Sequence, residues 1–531
     1  MCGIFAYLGN SDQHRLIEFG NRIKHRGPDS TTYLVEKYLN QDLFMMFHRL
    51  AINGLDSISN QPFNFKDCIL ICNGEIYNYK ELIDKYNLKD EYLTNSDCEI
   101  IIHLYLKIGL IDTLKELNGH FAFMLYCKKT ENLFIARDPL GIRSLYWYLD
   151  GSKLILASEM KSIVELVSID ERCKIEQFPP GAYCNYRSGL LRDYYKLPDN
   201  YQEIDQENEG EIIANIKELF IKAVTRQMLS SRKIACLVSG GLDSTTVCAI
   251  LALKFPHYTL DTYSIGMKGS VDLYWAKKAA EYMKTNHTSI ELTEDEFFDA
   301  IRETIYQIES YDTTTVRASV GNYLVSKYIS EHSDNTVIFC GDVSDEIFAG
   351  YRGFTDAESD EELFNENLKM LRNIHYFDVL RCEKSIAGAG LEGRVPFSDK
   401  EFVDYVMRIN PHYKRFNKER MEKYLFRKAF EDYLPKELIW RRKEAFSDGV
   451  SSMERSWFEI IKERVGLIIS DHRFDELSKK YTVNAPMDKE SLYYRLIFDE
   501  YFKGCDNTIP YYWRHPFNEE KDPSARTLDS Y

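Results

Sequence analysis

The sequence predicts a sheet-rich α+β domain followed by an α/β domain with a parallel sheet and a helical carboxyl-terminal region. Short apolar runs separated by turn residues fill the chain up to about Tyr195, which is typical of a sheet-rich domain. Beyond a polar, acidic stretch, longer helical patterns alternate with short apolar runs, which indicates βαβ units. After about Asp356 the helical patterns dominate.

Length and composition support this division. The chain has 531 residues, of which 44% are hydrophobic, so it can bury more than one core. The acidic stretch reads as an exposed connector between the two domains. We therefore predict a first domain over residues 1–195, a linker over 196–210 and a second domain over 211–531.

Charge and cysteine usage exclude several classes of protein. The net charge of −16 argues against binding to nucleic acid or to an anionic membrane surface. The twelve cysteines contain no C-x-x-C pair, so neither a zinc site nor a disulfide framework is indicated. No apolar run is long enough for a membrane helix, and the first residues do not resemble a signal peptide. We expect a cytoplasmic protein.

In the first domain, the clearest strands are predicted over residues 67–72, 121–126 and 153–157. The most informative residue is Cys2, because removal of Met1 would make it the amino terminus. The α-amino group titrates near pH 8 and could then act as the base for the thiol of the same residue. With this role, no leader segment would precede Cys2.

In the second domain, the run Ser239-Gly240-Gly241-Leu242-Asp243-Ser244 is the strongest local signal. It follows the apolar run 233–238 and precedes a plausible helix from Thr245. Backbone N–H groups and a helix amino terminus at such a position can surround an anion, so the run predicts a phosphate site. It lacks the lysine of the G-x-x-x-x-G-K-[ST] loop and is not G-x-G-x-x-G. It is similar to the S-G-G-x-D-S loop of the ATP pyrophosphatases, the PP-loop family.

Cys2 and the PP-loop together resemble the glutamine-hydrolysing asparagine synthetases, and the resemblance extends through nearly the whole chain. In the first domain it rests on four segments of a class II glutaminase domain, namely 26–29, 49–52, 73–78 and 96–99. It implies an N-terminal-nucleophile αββα sandwich for the first domain and a PP-loop α/β fold for the second.

The resemblance implies roles for residues of the first domain. Cys2 is the nucleophile, and the Asn73 amide and the Gly74 N–H form the oxyanion hole. The Arg49 guanidinium suits the carboxylate of glutamine, and the carboxylates of Glu75 and Asp97 suit the ammonium group of glutamine. The implied glutamine-binding residues are Arg49, Leu50, Ala51, Ile52, Asn53, Asn73, Gly74, Glu75 and Asp97.

In the second domain, the resemblance implies sites for three ligands. The residues implied to bind ATP and pyrophosphate are Leu237, Ser239, Gly240, Gly241, Asp243, Ser244, Ile265, Cys340, Gly341 and Lys443. Those implied to bind aspartate are Thr314, Thr315 and Arg317. Asp243 and Asp345 are the implied carboxylates for Mg²⁺ on the ATP phosphates.

One segment departs from the family pattern. The family usually reads glycine, glutamate, glycine, serine or alanine, aspartate, glutamate, whereas this chain reads Gly341-Asp342-Val343-Ser344-Asp345-Glu346. Asp342 therefore stands where the family has its catalytic glutamate, with a reach shorter by one methylene. Val343 would be strained if the backbone at this position needs a positive φ.

The resemblance predicts ATP-dependent synthesis of L-asparagine from L-aspartate, with ammonia from L-glutamine or from solution. Two alternatives stay open: another amide-forming PP-loop ligase, or a regulatory descendant that binds ATP or glutamine with weakened turnover because of Asp342 and Val343. The sequence does not determine the oligomeric state, and a homodimer stays open.

Overall fold

The protein was analysed as a computed structural model, which describes residues 1–151, 153–201, 208–254, 259–417, 419–443, 446–452 and 454–517. The strands of its amino-terminal part are β1 (Gly3–Leu8), β2 (Ser30–Tyr38), β3 (Gln41–Arg49), β4 (Phe63–Phe65), β5 (Cys68–Ile76), β6 (Gly119–Cys127), β7 (Asn132–Arg137), β8 (Tyr146–Asp150), β9 (Lys153–Ala157), β10 (Glu176–Gln177), β11 (Ala182–Asn185) and β12 (Leu190–Asp193). The three predicted strands lie in β5, β6 and β9 and are confirmed.

These strands form two antiparallel sheets. One has the order β10-β8-β9-β1-β3-β2, and the other has the order β12-β11-β7-β6-β5-β4. The helices of this part are α1 (Gln13–Gly20), α2 (Tyr79–Lys85), α3 (Ile100–Ile108) and α4 (Leu110–Glu116).

Side-chain alternation along the strands builds the layers. In β1, Ile4 and Ala6 belong to a core shared with buried residues of β5 and β6, so this core lies between the two sheets. Phe5 and Tyr7 point to the opposite face, where they pack with Leu16 of α1. The far face of the second sheet packs on α2, α3 and α4. The layers are those of the predicted αββα sandwich.

The second part is built on a parallel sheet of β13 (Lys233–Leu237), β14 (Asp261–Met267), β15 (Asn286–Leu292), β16 (Asn335–Phe339) and β17 (Glu392–Arg394). The strand order is β15-β14-β13-β16-β17, so the chain leaves β13 toward one edge and later returns to its other side at β16. Ligands of open α/β sheets bind at such a switch point, beyond the carboxyl ends of the strands.

Helices cover this sheet and dominate the carboxyl-terminal region. They are α5 (Glu209–Gln227), α6 (Leu242–Lys254), α7 (Val271–Met283), α8 (Glu294–Asp299), α9 (Ile301–Ile308), α10 (Thr313–His332), α11 (Ser344–Phe348), α12 (Asp360–Asn373), α13 (Asp378–Gly388), α14 (Lys400–Arg408), α15 (Pro411–Lys414), α16 (Tyr424–Ala429), α17 (Lys436–Ile439), α18 (Phe446–Gly449), α19 (Trp457–Ile468), α20 (Asp471–Leu477) and α21 (Lys489–Phe502). Helix α5 begins with a capping box of Asn208 and Glu211.

The two parts share one apolar core and buried ion pairs. The core that contains Phe5 and Tyr7 continues into residues of α5, α6 and the parallel sheet. Across the contact, Arg143 pairs with Glu392 at 3.0 Å and Arg394 pairs with Glu75 at 3.3 Å. These buried ion pairs link the two parts of the chain.

Parts of the connector and of the chain end lie outside the described residues. Of the predicted linker 196–210, residues 202–207 are outside this range, and Tyr201 stacks edge-on against Phe364 at 5.2 Å. Residues 522–526, whose sequence also resembles that of the family, lie wholly outside it. Within the described parts of the chain, no helix has the length and apolar character needed to cross a membrane.

Candidate active sites

The first candidate site surrounds Cys2 at the start of β1. The Cys2 thiol donates to the carbonyl of Leu50 at 3.6 Å. Met1 is fully buried, and its amino group donates to the carbonyl of Leu391 at 2.8 Å. Burial raises the pKa of the Cys2 thiol to about 12 in this chain bearing Met1. The thiol therefore needs a base before it can act as a nucleophile.

Asn73 and Gly74 lie in β5 rather than in a hairpin turn. Asn73 is 1% exposed, and neither polar atom of its side chain has a hydrogen-bond partner among the described residues. An unpaired buried amide is costly, so it points to a ligand group at this position. At Gly74 a Cβ would lie 2.5 Å from the His120 carbonyl, which explains the glycine.

The segment from Arg49 to Asn53 forms one wall of this site. Arg49 donates to the carbonyl of Asp56 and to Asn60 Oδ1, each at 2.7 Å, and also to the carbonyl of Gly54. The guanidinium is thus held by the following loop. Asn53 Nδ2 donates to Glu75 Oε2 at 2.6 Å.

The second domain also supports this wall. Arg232 Nε donates to the carbonyl of Ala51 at 2.8 Å, and its guanidinium pairs with Asp29 at 3.1 Å. Asp29 accepts from the N–H of Ala51 at 2.8 Å, and the Ser231 N–H donates to the carbonyl of Ile52 at 3.0 Å. The wall of the first candidate site therefore contacts both domains.

Glu75 and Asp97 are buried acidic groups in the same site. Burial is the main reason why the pKa of Glu75 lies well above its usual range, and the nearby charge of Asp97 raises it further. Burial raises the pKa of Asp97 to about 6, although its carboxylate accepts from the N–H of Ile76 at 2.6 Å. A cationic ligand group would favour the ionised forms of both.

The second candidate site begins at the loop between β13 and α6. Gly240 has a φ of +72°, and a Cβ there would lie 2.4 Å from backbone atoms of Trp275, so the turn requires glycine. Ser239 Oγ accepts from the N–H of Gly241 at 3.2 Å and lies 3.2 Å from Ser244 Oγ. The loop and the amino terminus of α6 face the switch point of the sheet, where an anion can bind.

Two carboxylates meet two lysines beside this loop. Lys423 Nζ lies 2.6 Å from both Asp243 Oδ2 and Asp345 Oδ1. Lys443 Nζ lies 2.5 Å from Asp345 and 4.3 Å from the ring centre of Tyr351. Burial alone would raise the pKa of Asp345, but the two lysines outweigh it and hold the pKa well below its usual range.

Asp342 and Val343 follow β16 at the same edge. Asp342 Oδ1 pairs with Arg381 at 2.5 Å, and Arg381 also pairs with Asp378 at 2.8 Å. Val343 has a φ of +79° and is 2% exposed, so the backbone does adopt the conformation in which a branched residue is strained. The backbone strain that the sequence predicted for Val343 at a positive φ is therefore confirmed.

The structure separates the three residues predicted to bind aspartate. Thr314 lines the central cavity, and its buried hydroxyl has no hydrogen-bond partner among the described residues. The Thr315 hydroxyl donates to Asp312 Oδ2 at 2.7 Å, and Arg317 pairs with Glu490 at 2.6 Å. Thr315 and Arg317 do not line the cavity.

The central cavity has a volume of about 220 Å³. It brings together most of the residues predicted to bind nucleotide or metal and Asp342, namely Leu237, Ser239, Gly241, Asp243, Ser244, Ile265, Cys340, Gly341, Asp342, Asp345 and Lys443. Gly240 lies in the same loop but does not line the cavity.

Sequence reasoning missed several polar and charged residues of this cavity. The missed residues are Glu346, Tyr351, Asp378, Arg381, Lys423 and Arg441. The Tyr351 hydroxyl donates to Asp378 Oδ2 at 3.0 Å and also contacts Glu346 at 2.5 Å. The i, i+3 spacing of Asp378 and Arg381 on a helix is a weak local signal of their pairing. No local pattern marks Lys423.

Comparison with known proteins now decides the family. Residues 1–205 match the family model of a glutamine amidotransferase domain, and residues 215–369 and 357–521 match that of asparagine synthase. The chain belongs to the glutamine-hydrolysing asparagine synthetase family. The resemblance seen in the sequence is confirmed.

Relatives in this asparagine synthetase family match over the full length. The glutamine-hydrolysing asparagine synthetases of Gallus gallus and Homo sapiens are each 38% identical to this chain. The alignments cover 100% of this chain and 99% of each relative. Among solved structures, the glutamine phosphoribosylpyrophosphate amidotransferase of B. subtilis aligns with a TM-score of 0.31 and 15% identity, covering 55% of this chain and 81% of that chain.

Proposed function

We propose that this enzyme makes L-asparagine from L-aspartate, using ATP and ammonia released from L-glutamine. The observation that carries the proposal is the presence, in one chain, of a cysteine whose thiol contacts the Leu50 carbonyl, of an unpaired buried amide at Asn73, and of a phosphate loop that shares a cavity with two carboxylates. Neither site alone would account for both family matches. We further propose a cytoplasmic location, because all twelve cysteines are free thiols.

In the glutaminase half, Cys2 attacks the side-chain amide of glutamine. Removal of Met1 supplies an α-amine as the base that the buried thiol needs. The Asn73 amide and the Gly74 N–H stabilise the developing oxyanion. Ammonia leaves, and water hydrolyses the thioester to glutamate.

Charged residues bind both the α-carboxylate and the α-ammonium group of glutamine. Arg49 binds the carboxylate, and Glu75 and Asp97 bind the ammonium group. Residues 50–53 complete the wall beside Cys2. Support for this assignment comes from the two buried acidic groups, because burial raises their pKa values and a cationic ligand group would stabilise their ionised forms.

In the synthetase half, the loop 239–244 and Lys443 hold the phosphates, and Leu237 and Ile265 pack against the adenosine. Carboxylate oxygens suit Mg²⁺, so Asp243 and Asp345 would hold that ion together with the ATP phosphates, in place of their contacts with Lys423, and the ion would offset phosphate charge. The substrate carboxylate attacks the α-phosphate, and pyrophosphate leaves. Thr314 has an unpaired hydroxyl in position for the aspartate.

The product of this step is β-aspartyl-AMP, which ammonia attacks to give asparagine and AMP. Asp342 takes a proton from the attacking ammonia, and Arg381 orients the Asp342 carboxylate. A small cavity lined by Arg143, Asp342 and Gly393 lies between the two halves. Its lining from both domains supports an internal route for ammonia.

The decisive experiment supplies aspartate, MgATP and ammonium without glutamine, and quantifies asparagine and pyrophosphate together. Equal amounts of the two products support the proposal. Pyrophosphate without asparagine would place the defect at ammonia attack. The absence of both products would favour another acceptor or the non-catalytic descendant.

The same assay with Cys2→Ala tests the division of labour. We expect glutamine-dependent synthesis to disappear while ammonium-dependent synthesis continues, because Cys2 belongs only to the first site. Cys173→Ala is the matched control, since Cys173 is exposed and lies outside both sites. Loss of both activities in a folded Cys2→Ala protein would contradict the proposal.

A further inference from the structure

Cys340 and Cys382 form a pair of buried thiols in the wall of the second site. Cys340 follows β16 directly, and Cys382 lies on α13. Their Sγ atoms are 3.3 Å apart, and Cys340 Sγ also lies 3.4 Å from the carbonyl of Arg394. Both are free thiols, with 3% and 2% of their surfaces exposed.

The position of the pair distinguishes it from other buried thiols. Cys340 lines the central cavity, and Cys382 lines the small cavity beside it. A small solute that enters the central cavity therefore reaches the sulfur of Cys340. Cys68 and Cys127 also face each other, across β5 and β6, but they line neither of these cavities.

We propose that Cys340 and Cys382 are an oxidisable dithiol site that forms an intramolecular disulfide with small organic disulfides and thereby stops amide synthesis. The Cys340 thiolate attacks one sulfur of the reagent and releases its other half as a thiol. Cys382 then attacks the Cys340 sulfur and releases the second half. The protein pair loses two electrons and two protons, and the reagent gains them as two thiols.

The geometry suits a covalent bond better than a bound cation. A disulfide is about 2.05 Å long, so the sulfurs must approach by only a little over 1 Å. Asp342 could offer a third ligand to a cation, since its carboxylate lies within 4.8 Å of both sulfurs. However, the Arg381 guanidinium lies 2.5 Å from that carboxylate and would repel a cation there.

The bond would act on catalysis through neighbouring residues. Cys382 is adjacent to Arg381, and Cys340 is two residues from Asp342, which Arg381 holds. Drawing α13 toward the end of β16 therefore moves the Asp342 carboxylate. Misplacement by about 1 Å costs on the order of a hundredfold in rate.

The test treats the full-length protein with 2-hydroxyethyl disulfide and reads the bond by mass spectrometry of unreduced, alkylated peptides. We expect a linked Cys340–Cys382 peptide and a loss of about a hundredfold in ammonium-dependent synthesis, restored by dithiothreitol. Ammonium-dependent synthesis is the chosen activity because it does not use Cys2. Modification of Cys2 by the reagent therefore leaves this readout unaffected.

Two variants make the test specific. Cys382→Ala removes the second nucleophile, so the treated variant should carry half of the reagent as a mixed disulfide on Cys340 and yield no linked peptide. Cys173→Ser is the matched control, because it removes an exposed thiol outside the sites and should keep both the linked peptide and the loss.

The proposal is overturned if the linkage forms elsewhere, such as between Cys68 and Cys127, or if only mixed disulfides appear. A linked Cys340–Cys382 peptide without loss of synthesis also overturns it. The peptide is read independently of asparagine. A protein that makes no asparagine even when reduced would thus contradict the proposed function, while the peptide still reports on the thiol site.

Discussion

Individual residues with unmet or strained interactions mark both candidate sites. The amide of Asn73 and the hydroxyl of Thr314 are buried without partners among the described residues, so each is free for a ligand. Val343 keeps a left-handed backbone despite its branched side chain. Strain and unpaired polar groups are tolerated where they serve binding or catalysis, which agrees with their positions here.

Asp97 predicts how glutamine binding depends on pH. Its pKa is raised by burial to about 6, so its carboxylate is mostly protonated below pH 6 and mostly ionised above it. In the proposed glutamine site the ammonium group binds the ionised form, so we expect the KM for glutamine to rise by up to about tenfold per pH unit below pH ~6. Glutaminase kinetics between pH 5 and 8 measure this.

Asp97→Asn serves as the comparison for this measurement. It keeps the shape but removes the charge, so glutamine affinity should already be weak at pH 8. A wild-type KM that stays constant from pH 5 to 8 would show that ionisation of Asp97 is unimportant for binding.

Asp342→Asn should slow amide formation more than adenylation. Loss of a general base costs about 10²–10⁴-fold in rate, whereas pyrophosphate release does not require Asp342. Asparagine formation and ATP–pyrophosphate exchange measured together separate the two steps. Asp334→Asn is the control, because Asp334 pairs with Lys233 at 2.6 Å in an exposed position.

Asp342→Glu gives a conservative comparison for the same position. It restores the longer reach usual in the family, so we expect faster amide formation if reach limits the present enzyme. An unchanged or slower rate would show that the backbone around Val343 has already adapted to the shorter aspartate.

Secondary-structure elements decide which residues reach the central cavity. The loops after β13 and β16 meet because these neighbouring parallel strands end at the same edge. Helix α10 enters the cavity at its first turn, where adjacent threonines have different surroundings. Thr314 faces the cavity, whereas Thr315 contributes to the cap formed by Asp312.

The threonine pair at the start of α10 allows a matched test. Thr314→Val should raise the KM for aspartate, by about fivefold for one hydrogen bond of about 1 kcal/mol. Thr315→Val should instead lower the free energy of unfolding by about 1 kcal/mol and leave the KM unchanged. Steady-state kinetics and chemical denaturation of both variants give the answer. An increased KM only in Thr315→Val would reverse the assignment.

At the scale of the whole molecule, the two domains act as one packed body around their contact. The contact includes the shared core and the buried pairs Arg143–Glu392 and Arg394–Glu75. Removing one partner of a buried ion pair is strongly destabilising, so these residues hold the two domains in a defined relation. Arg232 extends the contact to the wall of the first candidate site.

Arg232→Ala tests whether the second domain supports glutamine binding. It removes the contacts with Ala51 and Asp29, so we expect the KM for glutamine to rise about fivefold while ammonium-dependent synthesis is unchanged. Kinetics with each nitrogen source measure this. Lys217→Ala is the control, because it removes an exposed pair with Asp432 far from this wall. An equal change in both variants would indicate a general loss of stability.

The sequence alone determined those features that depend on neighbouring residues. The strands around residues 67–72, 121–126 and 153–157 follow from local hydrophobic patterns, and the loop at Ser239–Ser244 follows from its position between a strand and a helix. These features can be predicted because backbone conformation and the orientation of N–H groups are set within a few residues.

Only the tertiary structure decided which distant side chains meet. Lys423 lies 180 residues from Asp243 in the sequence, yet their charged groups are 2.6 Å apart. Thr315 and Arg317 belong to the family segment that was predicted to bind aspartate, but packing directs them to Asp312 and Glu490. The physical reason is that ion pairs and cavity walls depend on how helices pack against the sheet, and no local pattern encodes that packing.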